Sequence, residues 1–435
     1  MNPSDTSRPS ALPPTAGRAT LMRDNNFRWL LGGGVLSMLG DQFTLIALPW
    51  WVLQMTGSTV VLGTVLALIS VPRALFILVG GAVVDRYSPK QVQMITKYIN
   101  TVLLAMLAAM VFSGQWLPWA VYALALGIGV STAFSIPSGT AMLPHVVAPH
   151  QLQAANSAML GLRQLTLFAG PVLAGLLMVV GGDRAGTAAT GVGLAFAFDA
   201  FTFGLSAWTL SHVQMRTSAR TATAPQAVLS SVAQGLLHFW RDRELRTCFI
   251  YWAAIALFIM GPVHIALPVL ASTTPDLGAA ALGIIVGAHG AGTLLGMVVS
   301  GIRPGLRLGS LGLTLLAVDA LVGLLFMPMG HIHAVWQGAT LMLLIGLLGG
   351  FMHVAVFTWI QQRVPPALLG RAMSLFMFIF MGLAPISAAV TGWLMGGVSL
   401  RTLFVACGAA LLTVVVLALA FSPLRGVKDA VLRAR

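Results

Sequence analysis

Apolar residues run through this chain in long, nearly unbroken stretches separated by short polar intervals, without the one-sided spacing of a helix on a soluble core. A helix crosses the hydrocarbon of a bilayer in about 20 residues. Stretches of that length predict spans over 28–54, 58–83, 91–113, 117–140, 153–180 and 188–211. After a polar interval come six more, over 246–271, 277–301, 308–328, 333–357, 370–396 and 400–421. Gly and Pro inside these runs do not argue against helices, because buried neighbours satisfy the freed backbone groups. The prediction is an all-α membrane protein of twelve transmembrane helices.

The polar intervals divide the chain. Residues 1–24 are polar and Pro-containing, with no apolar stretch resembling a cleaved signal peptide, and are expected to form a disordered cytoplasmic tail. Six-helix halves are expected over 25–211 and 246–421, followed by a basic cytoplasmic tail over 422–435. Between the halves, 212–245 is the longest hydrophilic interval. It ends in an amphipathic stretch in which Leu236, Phe239 and Trp240 suit the inner membrane surface and Arg241 and Arg243 suit anionic headgroups. A linker helix packed against the bundle is the competing reading.

Composition agrees with a lipid solvent: 57% of the 435 residues are hydrophobic and only 8% charged, far below the roughly 25% of a soluble domain. The net charge of +13 would point to nucleic acid in a soluble protein. Here the loops carry it. Of the 24 Lys and Arg, only Arg184 and Arg401 fall in one alternate set of loops, while Arg73, Lys97 and Arg163 lie within spans and the rest occupy the other loops and both tails. Both termini are therefore expected in the cytoplasm, and Lys97, two turns into the third span, is expected to reach back to the cytoplasmic headgroups. Cys248 and Cys407 are far apart in apolar runs, so a disulfide framework is excluded.

A repeat supports the two-half division. Residues 147–178 and 364–395 match at a constant offset of 217, through Val147/Val364, Pro149/Pro366, Ser157/Ser374 and Gly175/Gly392 among others. Both segments lead into the fifth span of a half, which implies two pseudo-symmetric halves in parallel orientation. Chance similarity between Leu/Ala/Gly-rich helices is the alternative.

The loop after the second span reads Gly81-Ala-Val-Val-Asp85-Arg86-Tyr-Ser88-Pro89-Lys90. It resembles motif A of the major facilitator superfamily, with Gly81, Asp85, Arg86 and Lys90 matching and Ser88 and Pro89 departing from the pattern. A tight turn whose Asp takes charge from basic neighbours suits a gate latch. The corresponding loop of the second half, Gly301-Ile-Arg303-Pro-Gly-Leu-Arg307, lacks the acid. In the fifth span, Gly170, Pro171 and Gly175 partly fit the antiporter motif C, with Ala174 where a Gly is expected. Asn26-Phe-Arg-Trp-Leu, Val71-Pro-Arg and Gln362-Arg-Val-Pro extend the resemblance, which is to the drug:proton antiporters that include macrolide efflux proteins and enterobactin exporters; lysophospholipid transporters are similar in plan. The Arg-containing motif B is absent from 121–140. The resemblance implies the major facilitator fold, alternating access, a bacterial cytoplasmic (inner) membrane location, no cofactor beyond a proton gradient, and a monomer whose partners are protons, a small amphipathic substrate and the lipid bilayer.

Ionisable groups inside spans are costly and are therefore candidates for function. Counting about 1.5 Å per residue, Asp41 lies about 20 Å from Arg28 along its helix and Arg73 about 18 Å from Asp85. Their common depth predicts an ion pair, with Asp41 as first candidate for proton coupling. Arg163 and Asp199 reach a similar depth and join this charge network. A pair that only locks the bundle is the competing view. In the second half, Asp319 has no intramembrane Lys or Arg, and His289 at similar depth is the expected proton partner. The resemblance makes third, sixth, ninth and twelfth helices peripheral, which would leave Asp199 and Asp319 as scaffold. It makes first, fourth, seventh and tenth line the cavity, where His264 and His353 are candidate ligand contacts or packed residues. No HExxH, Walker or GxSxG pattern appears. An intramembrane lipid-modifying enzyme built on His289 and Asp319 is the runner-up from another class. Two substrate classes compete, a cationic or neutral drug drawn by Asp41 and an anionic siderophore or lysolipid drawn by Arg73 and Arg163.

Overall fold

The computed structural model describes residues 21–148, 151–182, 188–215, 240, 242–303, 305–364, 375–376, 379–380 and 382–427. The amphipathic linker stretch, the loop positions Asp183 and Arg184, and the first turns of the eleventh span lie outside the described residues. In chain order the helices are α1 (Asn25–Thr56), α2 (Thr59–Arg86), α3 (Pro89–Phe112), α4 (Pro118–Val146), α5 (Leu152–Gly182) and α6 (Ala188–Ser211). They continue as α7 (Arg243–Gly261, with a π-turn over Pro262–Ala266 and a last segment Leu267–Thr273), α8 (Ala279–Ile302), α9 (Leu311–Phe326), α10 (Val335–Arg363), α11 (Ala384–Leu394) and α12 (Leu400–Phe421). Eleven described helical stretches are long and apolar enough to cross a membrane; only the shorter Ala384–Leu394 represents the eleventh expected span.

Several helices outrun the expected spans: α4 continues to Val146 and α10 to Arg363, six residues past each hydropathy boundary. Hydropathy registers the hydrocarbon-embedded part of a helix, whereas its ends depend on capping. Asp24 accepts from the Asn26 and Phe27 amides, Ser58 from Val61, Asp242 from Glu244 and Leu245, and Ser310 from Leu313. Pro262 has no N–H to continue the α-helical ladder, and the π-turn begins there. Ser387 of α11 crosses to this point and accepts from the Gly261 amide at 2.7 Å.

Lipid tails are as apolar as leucine, so helices associate in a bilayer through close packing over small residues. The first six helices pack chiefly as α1 on α6 and α5, α3 on α6 and α4, and α2 on α4; in the last six, α8 packs on α10, α9 on α12, and α7 on α11. The two sets meet through α5–α8, α2–α11 and α1–α7. A side chain on Gly175 would come within 2.8 Å of the Ala279 carbonyl, and one on Gly283 would strike the Pro171 carbonyl. Thr59 donates to the Gly392 carbonyl at 3.0 Å. These contacts sit at the end of the bundle carrying the α1–α2, α5–α6, α7–α8 and α11–α12 turns. At the opposite end, each half has its own fastening. Leu21, Phe27, Leu31, Met142, Leu143 and Val146 form an apolar cluster in the first, while Arg363 at the end of α10 pairs with Asp242 at 3.0 Å and Glu244 at 2.8 Å at the start of α7.

Candidate functional site

The charged centre of the first six helices begins with a close helix approach. At Gly40 in α1 any side chain would collide with Thr202 and Asp199 of α6, so the α6 carboxylate is pressed against the α1 backbone. Asp199 is 1% exposed and accepts from the Thr44 hydroxyl and from Thr202 at 3.5 Å. Lys97 of α3 is 4% exposed and donates to the Ser37 hydroxyl at 3.0 Å, with its ammonium 5.4 Å from the Phe203 ring centroid. Both Asp41 and Asp199 lie within electrostatic range of Lys97. The expectation that Lys97 reaches the headgroups is overturned. Ser37 lies about 18 Å along α1 from Asn25 and Lys97 about 12 Å along α3 from Pro89, so the stem spans the difference toward the membrane centre. The buried Asp199 and the nearby Asp41 attract it more strongly than a distant headgroup. The sequence did carry a signal for this: Gln93, Thr96, Lys97 and Asn100 form a polar stripe at helical spacing, which in a membrane helix faces protein rather than lipid.

Asp41 differs from its neighbours in being exposed, although it lies at the middle of α1. The cations within electrostatic range are Lys97 and Arg73, and among the described residues no direct Asp41–Arg73 ion pair closes. Asp41 therefore faces an interior gap edged by charge, and a carboxylate bared to hydrocarbon there would be costly. Asp199, placed at the periphery by the resemblance, lies within range of both Asp41 and Lys97.

Across the gap, Arg73 is within electrostatic range of His264 in the α7 π-turn, whose Nδ1 is buried without a partner. Arg163 is within range of His353 on α10. Both Arg163 and His353 are exposed. The His353 ring stacks on Phe357 with centroids 5.9 Å apart and planes 22° apart, and lies 6.2 Å from Phe376. Phe376 in turn meets Phe380 at 4.9 Å and Trp252 at 5.5 Å. The expected His289–Asp319 pair is not formed. Tyr251 of α7 donates to Asp319 at 2.8 Å, while the His289 ring hydrogen-bonds the Met342 backbone. The reason is packing: Gly346 admits the His289 backbone so closely that α8 lies directly on α10.

The family model of the Major Facilitator Superfamily matches residues 30–388. The chain belongs to the Major Facilitator Superfamily. It is 24% identical over 397 residues to the multidrug efflux pump Tap of Mycobacterium tuberculosis, covering 87% of this chain and 88% of that one. It is 26% identical to the lysophospholipid transporter LplT of Yersinia enterocolitica, over 54% of this chain and 56% of LplT. Against the enterobactin exporter EntS of Salmonella paratyphi A the identity is 25%, over 76% of each. The fold matches that of the nucleoside transporter NupG with a TM-score of 0.69 at 14% identity, covering 91% of this chain and 98% of that one. The protein is a transporter and not an enzyme.

Within this superfamily member the motif residues fall at packing points. Gly170 of α5 lies against Gln42, where a side chain would come within 2.5 Å of Cγ, and Pro171 and Gly175 lie on α8. In the gate motif, Lys90 donates to the carbonyls of Ser211 at 3.0 Å and Val213 at 2.6 Å, fastening the start of α3 to the end of α6. The Arg86 guanidinium lies 6.0 Å from the Tyr87 ring centroid. The surroundings of Gly81 and of the Asp85 side chain lie outside what the structure describes.

Proposed function

We propose that this transporter exports an amphipathic small molecule from the bacterial cytoplasm by alternating access, driven by protons that load on Asp41. The observation carrying this reading is the unequal exposure of three neighbouring charges: Asp199 and Lys97 are buried together, while Asp41 faces the gap within range of Lys97 and Arg73. A proton arriving at Asp41 removes its attraction for both cations, and the freed charge of Arg73 changes what the gap offers a substrate. The basic residues concentrated in the loops at the end of the bundle opposite the α1–α2 turn support a cytoplasmic placement of that end. The named contacts between halves lie at the other end, so the arrangement reads as open to the cytoplasm. The similarity to Tap favours a drug-like substrate, and that to EntS extends the class to siderophores.

Proton-coupled flux in proteoliposomes tests this. With an imposed pH gradient, a transported drug should release lumenal protons through the wild type, and Asp41→Asn should lose that release while substrate still binds. Retained substrate-linked proton movement in Asp41→Asn sinks the coupling assignment. The relationship to LplT supports a second reading, lipid transport. Lysolipid crossing the bilayer at equal rates with and without the gradient would favour it.

A further inference from the structure

The proton reading leaves Arg163 without a task. We infer that Arg163 and the His353–Phe357–Phe376 wall form a subsite for the anionic group and planar aromatic body of the transported molecule. Arg163 lies on the face of α5 turned toward α1: on that stripe Met159 lies 3.5 Å from a Cβ built on Gly34, and Gly170 lies on Gln42. It lies within electrostatic range of His353 on α10. It therefore points into the gap between α1, α5 and α10.

Its charge is uncommitted. Each described acid near the middle of a helix already has another partner: Asp41 lies with Lys97 and Arg73, Asp199 with Lys97, Thr44 and Thr202, and Asp319 with Tyr251. Among the described residues the Arg163 guanidinium has no hydrogen bond or ion pair, and it is exposed. An intramembrane cation without a counter-ion is costly, and a ligand carboxylate, sulfonate or phosphate supplies the missing charge through a two-pronged guanidinium contact. The wall opposite is aromatic. The His353 and Phe357 rings lie nearly parallel in a stack, and Phe376, 4% exposed, backs them. Such a surface takes a flat ring more readily than a flexible acyl chain.

This rests on the exporter reading for the route, but it is tested without a gradient. Wild-type protein in zwitterionic nanodiscs would be titrated with 2-naphthoate, neutral 2-naphthamide, 2-naphthylmethylammonium and decanoate, with empty discs as the partition control. Naphthoate should bind about tenfold tighter than the ammonium probe, and tighter than decanoate. Arg163→Gln should lose that preference while naphthamide binds as before, and Phe376→Ala should weaken all three aryl probes by a common factor. The proposal is overturned if the ammonium probe binds as tightly as naphthoate, if decanoate does, or if Arg163→Gln keeps the anion preference. Should Arg163→Gln lose naphthamide as well, Arg163→Lys decides: a retained anion preference supports the subsite and its loss refutes it. A failure of proton coupling in Asp41→Asn would leave these affinities unchanged, so the two proposals stand or fall separately.

Discussion

The first six helices and the last six handle buried charge in opposite ways. In the first, Lys97, Asp41 and Asp199 share one interior, with Arg73 at its edge, so no charge there has a single fixed partner. In the second, Asp319 is the one described membrane-embedded acid, and it is held by a neutral phenol at 2.8 Å. The second half keeps its ion pairs at the helix ends, where Arg363 ties α10 to α7. A centre with more cations than fixed partnerships can rearrange when one proton arrives, whereas a hydrogen-bonded acid with one neutral partner has little to exchange. The difference is what supports proposing the first half as the switching part and the second as scaffold and aromatic wall.

The largest effect expected from breaking this contrast is at Lys97. Lys97→Met leaves the buried Asp199 and its neighbour Asp41 without their shared cation, and removing one partner of a buried ionic pair costs about 3–5 kcal/mol. A thermal-unfolding midpoint in detergent should fall sharply, and the Lys97→Met/Asp199→Asn double variant should recover part of the loss. A double variant less stable than either single one would show that the two do not form a unit. Arg363→Ala comes next. Its side chain is 26% exposed and that of Asp242 25%, so solvent screens the network and a loss of about 1 kcal/mol is expected, read in the same melt. Asp319→Asn should do least. The amide oxygen still accepts from Tyr251, so the midpoint should move by less than about 0.5 kcal/mol and proton-linked flux should persist. Flux abolished in Asp319→Asn would move coupling into the second half and erase the contrast.

Much of this was legible in order and depth. Counting residues from the helix ends puts Asp41 and Arg73 at one level, and they do lie within electrostatic range. The same counting puts His289 and Asp319 at one level, yet they face different neighbours. Depth follows from the 1.5 Å rise along a helix, which every sequence shares. Rotation about the helix axis follows from which small residues let which neighbour approach, as Gly346 does for α8 and Gly40 for α6.

What the sequence determined by itself, then, was membrane residence and the order of the spans, because the energetic demand of hydrocarbon acts on every residue of a span at once and writes a signal some twenty residues long. The superfamily came from the resemblance carried by the motif residues Gly81, Asp85, Arg86 and Lys90. Tertiary structure alone decided that Lys97 turns inward, that Asp319 belongs to Tyr251 and that Arg163 lies within electrostatic range of His353. Those outcomes depend on single side chains choosing among neighbours that lie far away in the chain, and the choice is made by local packing and by the nearest opposite charge.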